Sequence, residues 1–153
     1  MRLGVILSGG LCLLASPLLA QQSGTEFVGT WELVSIEAKA ETGDWVPASL
    51  LTGRPVCIIM YDDKGNMAVQ ITTDPRGIEN PPDRPGIVNG YVAYYGRYEV
   101  DAEAGTVTHH RQNHINPDLG KLSVVRHFAF SGDILTLTIA PERDLRIHWA
   151  RVR

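Results

Sequence analysis

The sequence predicts an all-β domain of eight antiparallel strands closed into an up-and-down barrel, with a short helix or lid segment. Three observations carry this expectation. Short runs of alternating or continuous apolar residues, rich in β-branched and aromatic side chains, recur along the chain. The gaps between them hold Gly, Asn, Asp or Pro, residues that turn a chain tightly. Tyr94 to His114, YYGRYEVDAEAGTVTHHRQNH, forms one complete hairpin signal, with Gly105 free to take φ > 0 in its turn. Closing eight strands removes the unpaired edges of a sheet. A two-sheet sandwich is the competing architecture.

The first twenty residues stand apart. Met1-Arg2 is a short basic start, Leu3 to Ala15 is apolar and uncharged, and Ser16 to Ala20 offers a small residue before Gln21. This is the pattern of a secretory signal peptide cut after Ala20. Residues 1–20 are thus expected to be a leader and 21–153 one exported domain, periplasmic or secreted. A retained anchor is the competing reading. The run is marginal for a span and its glycines weaken a helix, so no stable membrane span is expected after cleavage. Cys12 lacks the small residues before it that lipid attachment requires.

Phe27 to Ala38 predicts the first strand, with Phe27, Trp31 and Leu33 on one face and Glu32 opposite. Thr42-Gly43-Asp44 ends it, and Trp45 to Pro55 is a connection. Val56 to Tyr61 is a nearly continuous apolar strand, Asp62 to Asn66 a turn, and Met67 to Thr72 the third strand. Thr73 to Pro85, TDPRGIENPPDRP, holds four prolines, which exclude a helix interior or a central strand. It predicts a lid or mouth, or a solvated linker. Gly86 to Ala93 fits one or two helical turns that plug an end of the sheet, with Ile87, Tyr91 and Tyr94 or Tyr95 near one side. Tyr94 to Val100 and Thr106 to Gln112 are the fourth and fifth strands. Leu122 to Phe130 is the sixth, and Ile134 to Ile139 the seventh after Ser131-Gly132-Asp133. Arg146 to Val152 is the last.

The chain has 153 residues and a net charge of −3, one domain by size. No basic stripe exists, so nucleic acid is a poor partner. After cleavage Cys57 is the remaining cysteine, which rules out an internal disulfide. Inside Val56 to Met60 it suits a small buried apolar residue.

Three pieces of the chain resemble the lipocalin-like domain family of bacteria and fungi, a branch of the calycin-type barrels. Gly29-Thr30-Trp31 followed by Glu32-Leu33-Val34-Ser35 is similar to its GTW-x-LVS opening. Met60 to Met67, MYDDKGNM, is similar to its Y-x-x-x-G-x-M hairpin. Tyr95 to Val100 with Gly105 to His110 is similar to its FGTYEV and GTVTHH hairpin, with Tyr95 in place of Phe. The resemblance implies an eight-stranded barrel and a small apolar ligand. It also implies a structural closure by Gly29, Trp31 and Arg151, with the guanidinium over the indole, a contact worth about 0.5–2 kcal/mol.

Alternation places Val107, His109 and Arg111 on one face of the fifth strand, and Val107 marks that face as inward. The bulky set of the sixth strand carries Arg126 inward with it. Tyr61, Tyr98, His109 and Arg126 are therefore the expected ligand-binding groups of an apolar cavity. Each has a plainer role open to it. His109 can be a satisfied core histidine, Arg126 can pair with Glu99 or Glu32, and Tyr98 can sit with its hydroxyl at the rim. The same residues suit an isomerase, cyclase or hydratase, with His109 and Tyr98 or Tyr61 moving a proton and Arg126 steadying an anion. A filled structural or interaction barrel is the third reading.

No cofactor is expected. Metal is not expected either. On a straight strand His109 and His110 point to opposite faces, and His110 and His114 share a face about 13 Å apart. His110, His127 and His148 can meet on the outer face only if the register allows. No G-x-S-x-G elbow or phosphate loop is present.

Overall fold

The computed structural model describes residues 24–48, 54–74, 90–139 and 144–153. The expected leader lies outside these residues. So do most of the proline-rich stretch and residues 86–89 of the expected helix.

Among the described residues nine strands form one antiparallel sheet: β1 (Gly29–Lys39), β2 (Trp45–Pro47), β3 (Arg54–Tyr61), β4 (Asn66–Asp74), β5 (Val92–Asp101), β6 (Thr106–His114), β7 (Ser123–Ser131), β8 (Ile134–Ile139) and β9 (Leu145–Arg151). From β3 to β9 each strand pairs with the next in sequence. β1 pairs with β3 on one side and β9 on the other, which closes an eight-stranded barrel. β2 is a three-residue addition to the far end of β1, Glu37 to Lys39. Alternation sets the faces. Met67 and Val69 on β4, Leu135 and Leu137 on β8, and Leu145, Ile147 and Trp149 on β9 are buried in one core.

One end of the barrel is made of tight turns. Asp62 Oδ1 accepts from the Lys64 and Asn66 amides at 2.9 and 2.7 Å, an Asx-type turn. A 3-10 turn, Gly24–Phe27, plugs this end. The Phe27 ring lies 5.0–5.2 Å from those of Tyr61, Phe128 and Phe130, all edge-on. The Trp31 Nε1–H donates to the Phe27 carbonyl at 2.9 Å. The Arg151 guanidinium lies 4.1 Å over the Trp31 ring and donates to the carbonyls of Val28 and Glu26 at 2.7 and 2.6 Å. The expected closure by Gly29, Trp31 and Arg151 is thus present. Gly29 has φ 139°, a conformation that strains any side chain, and a Cβ there would meet Arg151 Nη1 at 2.7 Å.

Two expectations are corrected. Phe27 does not begin the first strand, because the chain turns through the 3-10 segment to bury its ring. The helix expected to reach Ala93 does not, since Val92 and Ala93 open β5 opposite Ile71 and Gln70. A strand there satisfies its amides in the barrel ladder, which a short Gly-weakened helix cannot match.

Candidate functional site

β6 supplies the centre of the site. Val107 and His109 are both 0% exposed, so the inward face of this strand was legible from Val107. The strand does not stay straight. Tyr95 pairs with Asn113 and Gly96 with Arg111, leaving Gln112 as an extra residue in the ladder. The bulge turns His114 inward, opposite Tyr94, so His110 and His114 do not share a face as a straight strand requires. Gly96 permits it: a Cβ there would fall 2.0 Å from the His110 carbonyl and 2.9 Å from Arg111 Cα.

Three of the four expected residues come together. Tyr61 Oη lies 2.9 Å from His109 Nε2, and Tyr94 Oη lies 3.3 Å from His109 Nδ1. The Arg126 Nη2–H donates to Tyr94 Oη at 3.5 Å. Arg126 is 8% exposed, and its Nη1 has no partner. Neither expected carboxylate reaches it. Glu99 is 80% exposed beside His110 Nε2, and Glu32 is exposed on the outer face. Tyr98 stands apart, its ring 4.9 Å from that of Tyr61 and its hydroxyl donating to the Asp62 carbonyl at the closed rim.

Tyr94 and His114 belong to the site and were not anticipated. Their rings stack at 5.7 Å with 12° between planes, and the Arg111 guanidinium lies 4.5 Å from the Tyr94 centroid. The sequence signal was Gly96, two residues past Tyr94 and opposite the histidine-rich strand. Tyr94 was read as the start of the fourth strand, near one side of the expected helix, and not as a site residue.

Burial sets the protonation states. It lowers His109 well below the ordinary histidine value, with the charges of Arg126 and Arg111 adding to the effect. His109 is therefore neutral, one ring nitrogen a donor and the other an acceptor. Burial, with Tyr94 adding and Arg126 opposing, pushes the Tyr61 hydroxyl far above its ordinary value, so it keeps its proton. The Cys57 thiol is pushed up to about 11, an inert side chain.

The histidines do not gather on the outer face. His110 bonds Ser123 Oγ at 2.8 Å, His148 lies between Thr136 Oγ1 and Glu37, both at 2.9 Å, and His127 sits opposite Thr106 and Thr138. Among the described residues no group of three His, Cys, Asp or Glu side chains could hold a metal. A groove of about 590 Å³ runs along the outer face, over Thr30, Met60, Ala68 and Tyr95. It contains neither His109 nor Arg126.

A family model described as a lipocalin-like domain matches residues 28–149. No curated protein and no solved structure matches the chain. Among the described residues no helix is long and apolar enough to cross a membrane.

Proposed function

This chain belongs to the lipocalin-like domain family, and from that premise we propose that it is an exported protein binding a small, mostly apolar molecule inside its barrel. The ligand would meet the polar groups of Tyr61, Tyr94, His109 and Arg126. The observation that carries this reading is Arg126: a guanidinium held among apolar walls with one nitrogen unpartnered. Buried cations are ordinarily paired, and a ligand would complete this one. The rings of Phe27, Phe128, Phe130 and Tyr61 fill the closed half. Export rests on the leader-like composition of residues 1–20.

Native mass spectrometry of protein purified from an exporting host, without organic solvent, tests both parts. The expected result is a chain beginning at Gln21 with a small bound mass that leaves on denaturation. A ligand-free mass from several hosts would overturn the binding reading in favour of a filled barrel acting through its surface.

One observation favours a second reading. Neutral His109 is held between two hydroxyls, a chain able to pass a proton as an isomerase, cyclase or hydratase would. With a ligand identified, His109→Gln separates the two. An enzyme loses turnover while affinity stays within a few-fold; a carrier shows no turnover to lose.

A further inference from the structure

Resting on the reading that the barrel takes a small ligand, we infer the head group of that ligand: a carboxylate, bridged by Arg126 Nη1 and the Tyr94 hydroxyl. The argument is a count of protons. Tyr61, Tyr94 and neutral His109 carry three between them, one on each hydroxyl and one on the ring. Only two contacts link them, Tyr61 Oη to Nε2 and Tyr94 Oη to Nδ1. Each contact uses one proton, so one is always left over.

Which proton is left depends on the tautomer. With hydrogen on Nε2, the ring donates to Tyr61, Tyr94 donates to Nδ1, and the spare proton is on Tyr61. With hydrogen on Nδ1, Tyr61 donates to Nε2, the ring donates to Tyr94, and the spare proton is on Tyr94. In this second state Tyr94 Oη accepts from both His109 and Arg126 and offers its own hydrogen onward. The spare proton is then on the oxygen that Arg126 Nη2 contacts, and Nη1 of the same guanidinium has no partner. Trp149 Nε1 is a further inward donor with no partner. The site is short of acceptors, and a ligand that brings donors, an amine for example, would deepen the mismatch.

Charge narrows the choice. The buried polar residues among those described are His109, His114 and Arg126, with no Asp or Glu. A neutral carbonyl would accept the hydrogen bonds and leave the guanidinium uncompensated. A phosphate would bring up to two charges and more lone pairs than these donors fill. A carboxylate brings one charge and two oxygens, one for Nη1 and one for the Tyr94 hydroxyl.

The test is competition in purified protein against N-phenyl-1-naphthylamine, a neutral fluorescent probe of apolar interiors. Octanoate, octanol, octylamine and octyl phosphate compete in turn, then phenylacetate against 2-phenylethanol. The expected result is a carboxylate effective at tenfold or more lower concentration than the matched alcohol, amine or phosphate. The His109 ¹⁵N resonances should show hydrogen on Nδ1 once the carboxylate is bound. Arg126→Met should abolish the preference, leaving carboxylate and alcohol equal competitors, and melt no lower than wild type, because it removes a buried charge whose Nη1 has no partner. Equal competition by all head groups, or a better phosphate, overturns the carboxylate inference and leaves small-ligand binding standing. So does an Arg126→Met variant that keeps the preference. An Arg126→Met variant that loses its fold makes Arg126 a structural cation and overturns the inference. No probe uptake and no competitor binding in wild type overturns both readings.

Discussion

Single atoms decide much of this barrel. At Gly96 a missing Cβ lets the β6 bulge approach to a distance no side chain tolerates. Gly96→Ala should destabilise the fold by about 3 kcal/mol or more in urea titrations, because the obstacle is backbone that cannot swing away. The same variant should release the His114–Tyr94 stack, read from the His114 ring protons. Arg151 works by contact as well as charge: it covers Trp31 and satisfies two carbonyls left by the 3-10 turn. Arg151→Met should cost about 2 kcal/mol by the same measurement. Trp31 and Arg151 were legible because the resemblance carried by Gly29-Thr30-Trp31 implied their pairing. Tyr94 was not, because its role depends on a residue eighteen positions away extruding from its own strand.

At the scale of elements, the short β2 shows how an appended strand is held. Arg146 lies 4.5 Å over the Trp45 ring and pairs with Glu37. His148 shares the same carboxylate, and the two hydrogen bonds hold Glu37 below the ordinary carboxylate range. Trp45→Ala should loosen β2 with a loss of about 1 kcal/mol or less, leaving the barrel's far-ultraviolet circular dichroism unchanged. The strands were readable from alternation and turn residues to within a few positions. β2 was not, since three residues carry no period. The bulge was equally invisible, because one extra residue in a ladder is defined only by the partner strand.

For the whole molecule, closure links the first strand to the last. β1 pairs with β9 from Trp31–Arg151 to Ala38–Leu145. A chain ending at Ile139 should lose cooperative unfolding, seen by tryptophan fluorescence in urea, since it bares the Trp31 side of the core and opens two edges. Closure also places His109 and His114 where protonation is disfavoured. Their folded-state values lie below the unfolded value of about 6.5, so the unfolded chain binds more protons as the solution is acidified. The stability they contribute is full above about pH 6.5 and is lost as pH falls toward the folded values. Melting temperature should be level from pH 7 to 8 and decline below 6.5. His109→Gln should flatten part of that decline. A decline confined to below pH 4.5 would point to carboxylates such as Glu37, Asp62 and Asp133 instead.

The sequence by itself determined the family, the eight strands, the closure by Trp31 and Arg151, and the inward direction of His109 and Arg126. These depend on local period, turn chemistry and a motif, all short-range properties of the chain. Only the tertiary structure decided that Tyr94 and His114 join them, that Tyr98 faces the rim, and that neither Glu32 nor Glu99 reaches Arg126. Those outcomes depend on register between strands far apart in sequence. A shift of one residue in a ladder reverses the face of every side chain beyond it.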